Sequence, residues 1–327
     1  MRVLAADVGG TKTLLAVAEA TADGLRVVEE RRYDSAAFTE FADLVEDFVA
    51  PLERRPERAC IAVAGPIDAG GRTAHVTNVS WRIDAKAMES RFDMGVALIN
   101  DFQAQARGVA ALCPDDLFAL QKGKDNAEAN RAIIGAGTGL GFAQLVRMGD
   151  DHVSLPSEAG HADFAPRGTL QRELHAWLEE RHGSNVSVEH VLSGPGLSRI
   201  YRFLADREPA RVHADLGREM VVDDFAASVS RFALKHGDGL AREALDVFVS
   251  VYGAHAGSLA LVTLPYGGMF ISGGIAAHIL SAMTEEERFI AAFNDKGKMS
   301  HIVRSIPVAI IVNPRVGLLG ALRAAVQ

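Results

Sequence analysis

Four places in the chain set chemically capable side chains against glycine turns or loop prolines. They are Asp7 in "DVGGTK" (7–12), Asn100 and Asp101 in "INDF" (99–102), Glu158 and His161 in "LPSEAGHADFAP" (155–166), and Glu189 in "VEHVLSGPGL" (188–197). A carboxylate at a strand end, followed by successive backbone N–H groups, suits a divalent cation beside an anionic ligand. The amides form a concave anion site, and glycine keeps side chains out of the ligand's way. Glu158 and His161 lie three residues apart, so a tight turn can aim both into one pocket. There a carboxylate accepts hydrogen bonds and an imidazole donates or accepts.

Each signal is weak alone. "DVGGT" is equally consistent with an ordinary hairpin turn. Asn100 and Asp101 are favoured helix caps, and on residues alone capping is the preferred reading. An arbitrary polar loop, or a glutamate near a short helix, is usually solvated. Neither "DVGGT" nor "GAGTGLG" (135–141) matches the two common nucleotide fingerprints. Together they say more. Two strand–glycine-turn–strand units, one per half, are placed to close on a polyphosphate from opposite sides. A third turn, Ser272-Gly273-Gly274, is placed to pack on a nucleotide base. Asp7 would then hold Mg²⁺ through water, since that ion keeps much of its hydration shell.

The elements that must position these residues follow from the apolar pattern. Residues 2–8, 13–19 and 25–35 read as strands, 59–65 and 95–101 as short buried strands, and 38–50, ending before Pro51, and 83–92 as helices. Residues 114–130 break the pattern and read as a boundary. This gives a smaller α/β domain over 1–113 and a larger one over 114–327, with a C-terminal helix at about 316–327 packing back on the first. Residues 131–147 repeat the opening theme, helices dominate 169–262, and 305–313 reads as a late strand. The apolar stretch 248–270 is interrupted by His255, Ser258 and Thr263 and reads as a buried core helix.

With 327 residues and 48% hydrophobic composition, the chain is an ordinary globular protein of two-domain size. A formal charge of −8 argues against nucleic acid and anionic membranes as partners. Cys60 and Cys113 have no ligand-spaced companions and read as reduced cysteines, and a strand by Val3 leaves no room for a signal peptide. A cytoplasmic location is expected.

In family order, "DVGGT", "INDFQAQARGV", "IGAGTGLG", "LPSEAGHADFAP", "VLSGPGL" and "ISGGIA" resemble the bacterial glucokinases, within the hexokinase, actin and chaperone ATPase superfamily. "EAGHADFAP" with "INDF" is specific; the glycine turns are superfamily-wide. The resemblance implies two ribonuclease H-like (actin-like ATPase) domains with an interdomain cleft, and a homodimer. It also implies ATP-dependent, Mg²⁺-assisted phosphorylation of glucose at the 6-hydroxyl. By the same resemblance Asp101 is the base, and Asn100, Asp101, Glu158, His161 and Glu189 bind glucose, with Asn78 a secondary contact. Asp7, Val8, Gly9, Gly10, Thr11, Lys12, Gly137, Thr138, Gly139, Gly273 and Gly274 serve the nucleotide. Asp163 supports its loop, and His190 and Trp81 are scaffold.

The chain departs from the pattern at Lys12-Thr13-Leu14, where close relatives often carry Asn-Ala-Arg. The related repressor/kinase (ROK) family often has lysine there but carries a Cys-rich zinc motif that is absent here. Rival readings are a kinase for another hexose or an N-acetylated amino sugar, a non-catalytic sugar-sensing regulator, and a filament-forming actin-like ATPase.

Overall fold

The computed structural model describes every residue except Asp23, Asn78, Asp125, Asp150, Asp223 and Gln327. The chain divides into two compact units. The first gathers Met1–Asp116, Met148–Pro156 and Asn313–Gln327; the second gathers Leu117–Arg147 and Ser157–Val312. Residues 148–156, expected with the second domain, therefore cluster with the first.

The first unit opens with β1 (Arg2–Val8), β2 (Lys12–Thr21) and β3 (Gly24–Asp34). Helix α1 (Phe41–Val49), β4 (Arg58–Val63), a two-stranded ribbon of β5 (Thr73–His75) and β6 (Arg82–Asp84), α2 (Ala85–Phe92), β7 (Gly95–Asn100) and α3 (Asp101–Gly108) follow. The sheet order is β3-β2-β1-β4-β7. β1 runs antiparallel to β2 and parallel to β4, which is parallel to β7.

Both faces of the central strands β1, β2 and β4 are covered, which is why they read as nearly continuous apolar runs, whereas the edge strands β3 and β7 alternate in exposure. Alternation sorts them: Leu4, Ala6 and Ile61 pack with Leu44, Phe48 and Met88 on one side. On the other side Ala5, Ala16 and Ala62 pack with Ala104 of α3 and Leu318, Ala321 and Leu322 of the C-terminal helix, Val316–Ala325. Small residues on that side let the helices sit close. A β-carbon at Gly320 would lie 1.6 Å from the Ala104 carbonyl oxygen, so only glycine fits the crossing.

The second unit contains β8 (Leu117–Gln121), β9 (Arg131–Ala136) and β10 (Leu140–Met148); β11 (Asp151–Ser157) follows and clusters mostly with the first unit. Helices α4 (Gly168–His182), α5 (Gly194–Arg207), α6 (Ala214–Glu219), α7 (Ala226–Lys235) and α8 (Gly239–Thr263) come next. β12 (Met269–Ser272), the short helices α9 (Gly274–His278), α10 (Leu280–Thr284), α11 (Arg288–Asn294) and α12 (Ser300–Val303), and β13 (Val308–Ile311) complete it.

The opening theme recurs here. β9 is antiparallel to β10 and parallel to β12, which is parallel to β13. β8 closes the edge antiparallel to β13, inside the stretch read from sequence as a structureless boundary. Its short apolar run, Leu117–Leu120, is half-exposed at the sheet edge and sits between polar, Pro- and Gly-containing stretches that mask it. Helix α8 is long and apolar enough to cross a membrane by composition, but Phe248, Tyr252 and Ala256 lie fully buried in the core. It is the core helix expected.

Candidate active site

In the first unit, strand register aligns the ends of three parallel strands. Val8 pairs with Val63, and Val63 with Asn100. Asp7 and Asp101 therefore lie at the same carboxyl edge of the sheet, two strands apart, where open α/β sheets bind ligands. Asp7 is half-buried. Its carboxyl is pushed up to about 7, first by burial and then by the charge of Asp101.

The capping reading of "INDF" holds. Asn100 caps α3: its Oδ1 accepts the Phe102 N–H at 2.9 Å, and Gln103 Oε1 accepts the Asn100 N–H at 3.3 Å. Asp101 Oδ1 also accepts the Phe102 N–H, at 3.0 Å. These bonds fix the start of the helix and hence the aim of Asp101.

The turn Gly9-Gly10-Thr11-Lys12 closes through the Gly9 N–H and the Lys12 carbonyl at 3.0 Å. Thr11 and Lys12 are exposed. Behind the turn sits Ser35, a buried residue that sequence reasoning missed. Its hydroxyl donates to the Gly9 carbonyl at 2.8 Å and lies 3.0 Å from the Thr13 hydroxyl, while its N–H donates to the Thr11 carbonyl.

In the second unit, the matching turn Gly137-Thr138-Gly139 follows β9, whose last residue donates its N–H to the buried Tyr252 hydroxyl at 3.1 Å. Gly137, Thr138 and Gly274 line one pocket of about 440 Å³ with Leu197, Asp224 and His278. Gly273 lies behind it with φ +89, and a β-carbon there would lie 2.4 Å from the Ala136 carbonyl oxygen. The pocket's other walls come from α5, α7 and α9. Asp224, Ser230 and His278 lie outside the quoted motifs, so they were not legible as lining residues.

Glu158 precedes, and His161 ends, a single turn of 3-10 helix (Ala159–His161); the two approach to 4.0 Å, although both side chains are mostly exposed. Backbone bonds from Phe164 to Val186 and from Val188 to Ala162 tie this loop to the segment carrying Glu189. His190 lies in the same neighbourhood; burial, then the charges of His182 and Arg199, lower its pKa, and the Glu189 charge partly opposes them. The His190 Nδ1 accepts the Ser187 N–H at 3.0 Å, as a scaffold residue would. Trp81 is buried and donates to the Phe38 carbonyl at 3.2 Å. Asp163 forms a backbone bridge to Ser187. Asn78 lies outside the described residues.

Among the described residues no three of His, Cys, Asp and Glu gather into a metal cage. The donor set suits Mg²⁺ bound largely by water and by a ligand's own oxygens, because the first unit offers a half-buried Asp7 carboxyl beside the Asp101 charge and little else.

The glucokinase family model matches residues 4–327. The glucokinase of Trichormus variabilis is 41% identical, across 98% of this chain and 97% of that protein. The glucokinase of Caulobacter vibrioides is 35% identical, across 97% and 93%. Among solved structures, a glucokinase from an Antarctic psychrotroph matches with a TM-score of 0.86 and 31% identity, over 99% of this chain and 98% of that one. The glucokinase of Balamuthia mandrillaris in complex with glucose matches in fold, with a TM-score of 0.83 at 23% identity over 100% and 94%.

Proposed function

We propose, on the premise that this chain belongs to the glucokinase family, that it transfers the γ-phosphoryl group of ATP to the 6-hydroxyl of D-glucose. The products are glucose 6-phosphate and ADP. The observation that carries the reading is the carboxyl-edge alignment of Asp7 with Asn100 and Asp101, beside a glycine turn.

Phosphoryl transfer passes through a loose transition state, so position and charge carry most of the acceleration. Asp101 accepts the proton of the 6-hydroxyl as its oxygen bonds to phosphorus and the bond to ADP breaks. General-base assistance of this kind is worth about 10²–10⁴-fold. The amides of Gly10–Lys12 and of Thr138 and Gly139, with the Thr11 and Thr138 hydroxyls, bind phosphate oxygens, while the Gly9 and Gly137 N–H groups close their own turns. The pocket beside Gly274 takes the nucleoside, and Asp224 and Ser230 give it polar partners. Asn100, Glu158, His161 and Glu189 hold the ring hydroxyls. When bound, Mg²⁺ neutralises phosphate charge, and Asp7 would hold it through water.

We place the enzyme in the cytoplasm, a reading supported by the two free cysteines, and expect a homodimer. A coupled assay of glucose, galactose, fructose and N-acetylglucosamine against ATP, ADP and polyphosphate tests the whole reading. Glucose with ATP should give the highest kcat/KM. Faster turnover of N-acetylglucosamine, or none with any sugar, would overturn it.

A further inference from the structure

We infer that Glu189 and the Leu140 peptide form a relay inside the second unit, through which the sugar loop and the donor-phosphate turn set each other's shape. The inference rests on the functional reading above and goes beyond it, because it gives one side chain a part in both half-sites.

Three contacts carry it. The Leu140 N–H, immediately after the Gly137-Thr138-Gly139 turn, donates to Glu189 Oε2 at 2.8 Å. At the other end of the turn, the Gly194 N–H donates to the Gly137 carbonyl at 2.8 Å. The segment 189–194 thus braces both ends of the turn. It is stiffened by Ser193, whose hydroxyl donates to the Glu189 carbonyl at 2.8 Å and accepts the Gly196 N–H at 3.0 Å. On the far side of the same peptide, the Leu140 carbonyl oxygen abuts Gly160, between Glu158 and His161. A β-carbon at 160 would lie 2.1 Å from it.

The fit around Glu189 is equally close. A β-carbon at Gly139 would come within 2.6 Å of Glu189 Oε2, whereas one at Gly137 would meet nothing within 4 Å. A carboxylate has two oxygens, so Oε1 can meet a sugar hydroxyl while Oε2 keeps the Leu140 N–H. A sugar that fixes this carboxylate therefore also fixes the turn. By linkage a nucleotide that fixes the turn tightens the sugar site by the same factor, commonly about 5–150-fold.

Titration calorimetry on the full chain tests this with glucose alone, MgADP alone, and each in the presence of the other. Wild type should bind each ligand more tightly when the other is present. Gly139→Ala should weaken glucose binding by at least about tenfold with no nucleotide present. Glu189→Ala should weaken MgADP binding with no sugar present. Glu189→Gln, whose amide oxygen still accepts the Leu140 N–H, should preserve it. If wild type binds both ligands but Gly139→Ala binds glucose normally, the relay is overturned and the kinase reading stands. If wild type binds no glucose, the kinase reading itself falls. Should Gly139→Ala fail to fold, the Glu189 pair decides alone: equal MgADP affinity in the two variants overturns the relay.

Discussion

Gly317 faces the Asp7 carboxylate so closely that a β-carbon at 317 would lie 2.5 Å from Oδ2. The first turn of the C-terminal helix is thus fitted against the side chain that ends β1. Burial of this kind is what holds the Asp7 carboxyl near neutrality.

Gly317→Ala should displace either the carboxylate or the helix. A misplacement of about 1 Å can cost on the order of 10²-fold in rate, and we expect a loss of that size in kcat. Steady-state kinetics beside a circular dichroism spectrum would show it. A folded variant with wild-type kcat would mean that the Asp7 position is not critical.

Asp101→Asn isolates the proton acceptor. The amide oxygen can still accept the Phe102 N–H, so the start of α3 should survive. We expect kcat to fall by about 10²–10⁴-fold with little change in glucose affinity. Near-normal turnover would assign the base elsewhere.

Glu158 and His161 should govern acceptor choice. Galactose, inverted at one ring position, leaves a binding group unpaired and should be a much poorer substrate than glucose. Because both side chains are mostly exposed, Glu158→Gln should raise the glucose KM by about tenfold, near the low end of what an unpaired polar group costs. His161→Ala should act in the same direction more mildly. Sugar-by-sugar kcat/KM values on both variants would reveal a loop uninvolved in the sugar site if nothing moved.

His255 on α8 predicts an acid limb in stability. Its Nε2 is buried without a partner, and burial, then the Lys296 charge, push its pKa down to about 4 from an ordinary 6.5. Between those values the unfolded chain binds a proton that the folded chain does not. Stability is therefore full above about pH 6.5 and is lost as the pH falls toward 4. His255→Gln should flatten this limb by roughly 2 kcal/mol between pH 7 and 4.5, read from urea unfolding at several pH values. An unchanged slope would place the acid sensitivity in other groups.

Much of this site was legible because local chemistry and strand register point the same way. Asp7 follows an apolar run and precedes two glycines. Asn100 and Asp101 stand where a buried strand becomes a helix, so their positions at the sheet edge followed from pattern alone. Ser35 was hidden because its partner Gly9 is far away in sequence and a single serine carries no periodic signal. Asp224 and His278 were hidden because their pocket is assembled from helices whose apolar faces reveal packing and not lining. The grouping of residues 148–156 with the first unit was beyond reach for a related reason: tertiary contacts decide it, not composition.

The assembly of the first unit from separate stretches has a consequence for biosynthesis. The helix that begins with Asp101 is translated early, yet its closest neighbour, around Gly320, follows the whole of the second unit in the chain. Domains commonly fold in turn as they leave the ribosome. Here the early strands must wait with one face of their sheet uncovered until residues 313–327 arrive. Until then Ala5, Ala16 and Ala62 lack the Leu318, Ala321 and Leu322 side chains that cover them in the finished fold, so the final seating of α3 against that face should follow synthesis of the second unit.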